Sequence, residues 1–199
     1  MKKKHDGSWT AEATVSLEPH MTVPWLIDHR AQVRPESVCI ERKSRFGSLW
    51  QPVTISEFDK SIRRVSRGLL GLGIEPGETM AIFGATSYEW SLLDMAALSV
   101  GIVVVPIYES DSAEQIQWIL EDSAIRVVFT DTAAHAELVE SVRTPSLRPT
   151  ILLDDDGLST IYEAANTIPD STMSNRREEL SSDSLATIIY TSGTTGRPK

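Results

Sequence analysis

From Thr79 onward the chain alternates short aliphatic runs with stretches of helical period, and this alternation constrains the fold more than any other feature. Residues 80–83, 103–107, 127–130 and 150–153 have few polar interruptions, as strands do when both faces of their sheet are covered. Amphipathic stretches at 87–100, 113–122 and 133–143 separate them, the first two led by the capping boxes Thr86-x-x-Glu89 and Ser112-x-x-Gln115. A β-α-β rhythm of this kind predicts an α/β fold with a partial doubly wound, mainly parallel sheet and flanking helices. A weak helix at 159–166 and a long, polar, exposed connection at 167–184 follow. Residues 185–190 (LATIIY) then read as one more buried strand.

Upstream of Thr79 the pattern is different. Residues 1–20 show no usable periodicity and read as a flexible arm. A helix fits 23–33, with Thr22 as its cap, Pro24 in its first turn and Pro35 closing it. Residues 37–42 and 48–54 read as a hairpin. Ile55, Phe58, Ile62, Val65, Leu69 and Leu72 then step by three or four, giving one apolar stripe on a helix. That helix opens on the Thr54–Glu57 capping box, and Gly71 and Gly73 are expected to stop it.

Composition limits the function classes. Hydrophobic residues make up 41% and charged residues 24%, so the 199-residue chain is neither disordered nor fibrous. Nineteen Lys and Arg against 28 Asp and Glu give a net charge of −9. The balance is uneven: 12 basic against 8 acidic residues through Leu70 leave +4, and 7 against 20 beyond it leave −13. Over most of its length such a chain does not suit a polyanion, so nucleic acid is not expected as a partner. The asymmetry reads as solvated faces, with a membrane-facing or interaction surface as the alternative. The basic N-terminus lacks the apolar run of about 7–15 residues that a secretory signal needs, and residues 95–108 are too short to span a bilayer. Cys39, the single cysteine, reads as an inert buried strand residue and points to a reducing compartment, hence a cytoplasmic location.

The chemistry lies in TSGTTGRPK, which follows the last aliphatic run directly. Gly193 and Gly196 permit close backbone approach and let successive N–H groups point into one concavity. Thr191, Ser192, Thr194 and Thr195 add hydroxyl donors, and Lys199 adds a mobile positive charge. These groups suit a phosphate. The spacing is not that of G-x-x-x-x-G-K-[ST], since Lys199 lies three residues past Gly196 with a proline between, which weakens kinase and GTPase readings.

The segment IIYTSGTTGRPK resembles the AMP-binding signature of the adenylate-forming enzymes, position for position through Lys199. The stretch from Gly73 to Asp131, particularly YEWSLLD and VPIYESDSAEQIQWIL, is similar to long-chain fatty acid–CoA ligases, and the likeness covers nearly everything from Met21 onward. The resemblance implies that residues 21–199 are the N-terminal portion of the large domain of such an enzyme. It also implies a two-step reaction, in which a fatty acid carboxylate attacks Mg-ATP to form an acyl-adenylate and coenzyme A then displaces AMP. The loop Thr191, Ser192, Gly193, Thr194, Thr195, Gly196 and Lys199 would hold the β and γ phosphates. Cofactors expected from the family are ATP, Mg2+ and coenzyme A. The segments that hold adenine, line the acyl tunnel, coordinate magnesium and carry the catalytic lysine lie past the position of Lys199 in such enzymes. The 199 residues are therefore expected to be an incomplete piece, inactive alone, with an exposed apolar sheet face. Another adenylate-forming specificity, for an aryl acid or an amino acid, or a non-catalytic binding module, is the alternative.

Other candidates read as structural. Asp154, Asp155 and Asp156 form a solvated turn, because adjacent carboxylates point apart. His5, His20, His29 and His135 lack metal-ligand spacing. Trp90 and Trp118 read as core packing. Arg63, Arg64 and Arg67 read as a solvated helix face, with acidic lipid at a membrane periphery or another subunit as the alternative.

Overall fold

The computed structural model describes residues 2–4, 6–43, 49–153 and 157–191. Strands β1 (Lys2–Lys3) and β2 (Trp9–Thr10) form a small antiparallel hairpin within the first 20 residues. Helix α1 (Val23–Val33) precedes a second antiparallel hairpin, β3 (Val38–Lys43) with β4 (Trp50–Thr54), which runs into α2 (Ile55–Gly71). The alternating region follows as β5 (Thr79–Phe83), α3 (Tyr88–Leu98), β6 (Val103–Ile107), α4 (Ala113–Asp122), β7 (Val127–Thr130), α5 (Ala133–Ser141) and β8 (Ile151–Leu152). Helices α6 (Gly157–Ala165) and α7 (Asp170–Glu178) complete the order.

Strands β5 to β8 form one parallel sheet in the order β6-β5-β7-β8. Successive side chains of a strand point to opposite faces, so the aliphatic runs divide cleanly. Met80, Ile82, Val104, Val127 and Phe129 pack with Ile62 and Leu69 of α2, Leu92 and Leu93 of α3, and Ile161 of α6. Ala81, Phe83, Val105, Ile107 and Val128 pack with Ile116, Ile119 and Leu120 of α4 and Val139 of α5. Helices thus cover both faces, giving the doubly wound α/β fold that the runs predict.

Thr22 caps α1 as expected, and the capping-box expectations hold at two helices and shift at one. Thr54 and Glu57 cap α2 reciprocally, and Ser112 and Gln115 do the same for α4. Helix α3 is capped by Ser87, not by Thr86: the Ser87 side chain accepts from the Trp90 N–H at 3.0 Å. A Ser at N-cap satisfies an orphan donor without any box partner.

Gly71 is the last residue of α2 and the chain reverses at Gly73, whose φ is +75°, so the helix stops where these two glycines are expected to stop it. A Cβ on Gly68 would lie 2.2 Å from the Ile161 carbonyl oxygen, and one on Gly71 would lie 2.3 Å from that of Ala164. Gly68 and Gly71 therefore also serve the close approach of α6.

Two further expectations are corrected downstream. The connection at 167–184 contains α7, whose Met173 is buried while the rest of its surface is held by ion pairs. Residues 185–190 form no buried strand: they touch β6 through a single parallel bridge, Val104 with Thr187, and leave Leu185 and Ile189 exposed. An edge segment buries one face only, and the apolar composition that suggested a central strand does not distinguish the two.

The arginine cluster is not a free face. Arg63 bridges Asp28 at 2.5 Å and Asp59 at 2.8 Å, Arg67 meets Asp170 at 2.6 Å, and Arg64 lies 4.0 Å over the Tyr162 ring. Cys39 is exposed rather than buried. Its sulfur sits 3.5 Å from the Val53 carbonyl oxygen, and local desolvation pushes the thiol above its ordinary value, so it is a protonated and unreactive group. Trp90 and Trp118 each pack against a core cluster. Asp154, Asp155, Asp156 and His5 lie outside the described residues. Among the described residues no helix is long and apolar enough to cross a membrane.

Candidate functional site

Thr191 is the last described residue, and it is exposed. Ser192, Gly193, Thr194, Thr195, Gly196 and Lys199 lie outside the described residues. What the fold fixes is the approach to them. Ala186 accepts from the Val104 N–H at 3.1 Å, and the Val104 carbonyl accepts from the Ile188 N–H at 3.0 Å and the Thr187 hydroxyl at 2.7 Å. The segment therefore runs parallel to β6 and delivers Thr191 to the carboxyl end of the sheet. Parallel α/β sheets bind ligands at that end.

Tyr190 anchors the delivery. It is 6% exposed in an otherwise half-open segment, and its hydroxyl donates to Asp122 at 2.5 Å and lies 3.2 Å from the Ser123 hydroxyl. Burial and the neighbouring carboxylate push the phenol above its ordinary value, so it stays a neutral donor. Beside it opens a cavity of about 430 Å³, lined by Tyr108, Asp111 and Gln115 on one side and Tyr190 and Thr191 on the other. The α4 N-terminus, with its Ser112–Gln115 box, faces the same end of the sheet, and its helix dipole favours an anion there. Burial raises the Asp111 carboxyl, which accepts from the Tyr108 N–H at 3.1 Å.

A second polar group closes the sheet end between β5 and β7. Asp131 accepts from the Ala85 N–H at 2.9 Å and lies 2.6 Å from His135 Nδ1. The His135 ring stands 4.1 Å from that of Phe83, and a Cβ on Gly84 would lie 2.4 Å from the Asp131 carboxyl carbon. Burial pushes the Asp131 carboxyl up, but the Ala85 amide and His135 outweigh it and leave the net value lowered. His20 and His29 flank Trp25 at 5.4 and 5.0 Å. Among the described residues no three His, Cys, Asp or Glu side chains converge as a resident metal requires.

Sequence spacing marks the loop but not its supports. Tyr190, Asp122 and Asp111 meet only through the sheet, and no local pattern joins residues 68 positions apart. The one local signal was the Ser112 capping box, which places the α4 N-terminus.

Comparison with known proteins agrees with this architecture. The family model "AMP-binding enzyme" matches residues 27–199. Long-chain-fatty-acid–CoA ligase FadD15 of Mycobacterium tuberculosis is 38% identical over 192 residues, covering 94% of this chain and 32% of the ligase. The chain thus spans about a third of that relative's length. Among solved structures, VinN in complex with L-aspartate superposes with a TM-score of 0.72 at 21% identity, covering 92% of this chain and 48% of VinN. The N-terminal domain of FACL13 from Mycobacterium tuberculosis gives 0.67 at 26% identity, covering 88% and 42%. With the parallel sheet, the anchored approach to TSGTTGRPK and these matches together, the chain belongs to the AMP-binding enzyme family.

Proposed function

We propose that this chain supplies the triphosphate-holding part of an AMP-forming ligase that joins a long-chain fatty acid to coenzyme A. The carrying observation is a junction: TSGTTGRPK starts at Thr191, one residue past the Tyr190 anchor, at the carboxyl end of a parallel sheet. In this reading Gly193 and Gly196 bring backbone N–H groups against the β and γ phosphates. Thr191, Ser192, Thr194 and Thr195 add hydroxyls, and Lys199 adds charge. The fatty acid carboxylate oxygen attacks the α-phosphorus and pyrophosphate departs with the charge these groups stabilise. The thiol of coenzyme A then attacks the acyl carbonyl and AMP leaves. Mg2+ enters with the substrate as Mg-ATP. The likeness to FadD15 supports the fatty acid assignment.

Residues 21–199 form the first part of the nucleotide-binding domain in this reading, residues 1–20 an arm, and the location is the cytoplasm, where ATP and coenzyme A are supplied. In this reading the loop from Thr191 to Lys199 holds the nucleotide phosphates, and the 199 residues bind nucleotide without completing ligation. Calorimetric titration with Mg-ATP tests the loop: Lys199→Ala is expected to weaken binding about tenfold, the worth of one charge-assisted contact. Equal affinity overturns the phosphate-loop reading. Fatty-acid-dependent ATP–pyrophosphate exchange by the chain, above the Lys199→Ala control, overturns the claim that it does not turn over alone. Exchange driven instead by an aryl acid or an amino acid moves the substrate elsewhere in the family.

A further inference from the structure

Helix α1 presents an unusual outer face. Val23, Leu26 and Val33 are 46%, 56% and 62% exposed, and neither core cluster includes them. Together with Arg30 they fall at i, i+3, i+7 and i+10, which is one stripe of a helix. Ile27 and Pro24 make the inner face. Val15 and Leu17, each 69% exposed, lie just upstream.

Charge sets this face apart from the rest of an acidic chain. The one carboxylate of α1, Asp28, is turned inward, where it pairs with Arg63 at 2.5 Å and with Arg177. What remains outside is aliphatic, neutral polar (Gln32) or carries a guanidinium: Arg30 and, at the C-cap, Arg34 are exposed and have no ion-pair partner among the described residues. We infer that the outer face of α1 docks on an anionic lipid surface. The position of Arg30 inside the stripe favours lipid over a second protein chain. A protein partner would have to bury and pair that guanidinium, whereas at a bilayer it extends to the headgroups while Val23, Leu26 and Val33 enter the acyl boundary. Anionic headgroups complement Arg30 and Arg34, and the internal neutralisation of Asp28 removes the one α1 charge that would oppose them.

Co-sedimentation of the 199-residue chain with vesicles tests this, using phosphatidylcholine containing phosphatidylserine against phosphatidylcholine alone. Binding is expected to the anionic vesicles only and to fall as salt rises. Leu26→Glu with Val33→Glu, and separately Arg30→Glu with Arg34→Glu, are each expected to weaken it about tenfold or more. All four residues are exposed, and far-UV circular dichroism and melting of each pair check that the fold is kept. No binding to anionic vesicles, equal binding to neutral ones, or binding undiminished in both folded pairs overturns the inference. So does sedimentation velocity showing a wild-type self-association that these pairs abolish, since a second copy would then be the occupant.

Discussion

The Tyr190 hydroxyl and the Asp122 carboxylate meet at 2.5 Å and join the segment leading to Thr191 to the end of α4. The ring is buried, so its polar end must find a partner, and Asp122 with Ser123 provides one. Tyr190→Phe keeps the ring and removes the donor. The expected loss is about 1.5–3 kcal/mol in urea unfolding, the range for a hydrogen bond to a charged group. Mg-ATP affinity is expected to fall in the same variant, because Thr191 is no longer held at its register.

Gly68 and Gly71 set the distance between α2 and α6. Replacing glycine by alanine in a helix interior normally stabilises it by about 1 kcal/mol. Here the added Cβ strikes the Ile161 or Ala164 backbone, so Gly68→Ala and Gly71→Ala are each expected to destabilise by about 2–3 kcal/mol in thermal or chemical unfolding. Ile161→Ala does not rescue Gly68→Ala, since the nearest atom is a carbonyl oxygen at 2.2 Å.

Arg177 is the hub of a partly buried charge cluster. It pairs with Asp28, donates to the Ser99 hydroxyl at 2.7 Å and lies 3.7 Å from Asp59, with only 9% of its side chain exposed. Arg177→Met leaves buried carboxylates undercompensated and is expected to cost about 3 kcal/mol. Adding Asp28→Asn is expected to return a measurable part of that loss, which a double-mutant cycle reads directly.

Two carboxylates give opposite pH dependences. Burial raises Asp94 to about 6. Protonation is then favoured in the fold over the unfolded chain, so stability rises as pH falls through that value. Two pKa units correspond to about 3 kcal/mol, and partial exposure trims this to about 1–2 kcal/mol. Asp94→Asn is therefore expected to stabilise the chain by that amount at about pH 7.5, with the effect fading to nothing below about pH 3. Asp131 is lowered instead, so its contribution is complete above the ordinary carboxylate range and is lost in stronger acid, as the pH falls through its folded value. Asp131→Asn is expected to destabilise at neutral pH, with the difference fading as acid removes the wild-type charge.

The sequence by itself determined the layered fold and the family. Strand residues buried on both faces must be continuously apolar, helices must show their stripe and caps, and the family resemblance rests on a run of consecutive residues. Each of these is a local demand, so it is written locally: in 80–83 and 103–107, in Thr54 with Glu57, and in Thr191 to Lys199. Only the tertiary structure decided features that depend on residues far apart in the chain. Helix α7 has almost no apolar stripe and is held by Arg67–Asp170 and Arg177–Asp28, pairings across more than a hundred positions that leave no periodic trace. Gly71 ends α2 as glycine commonly does, but only the approach of α6 reveals the contact it also permits. Residues 185–190 have the composition of a central strand, yet an apolar run does not encode how many neighbours it will have. The same limit applies to Val23, Leu26 and Val33, whose stripe is visible in sequence while its outward orientation follows from the pull of Arg63 and Arg177 on Asp28.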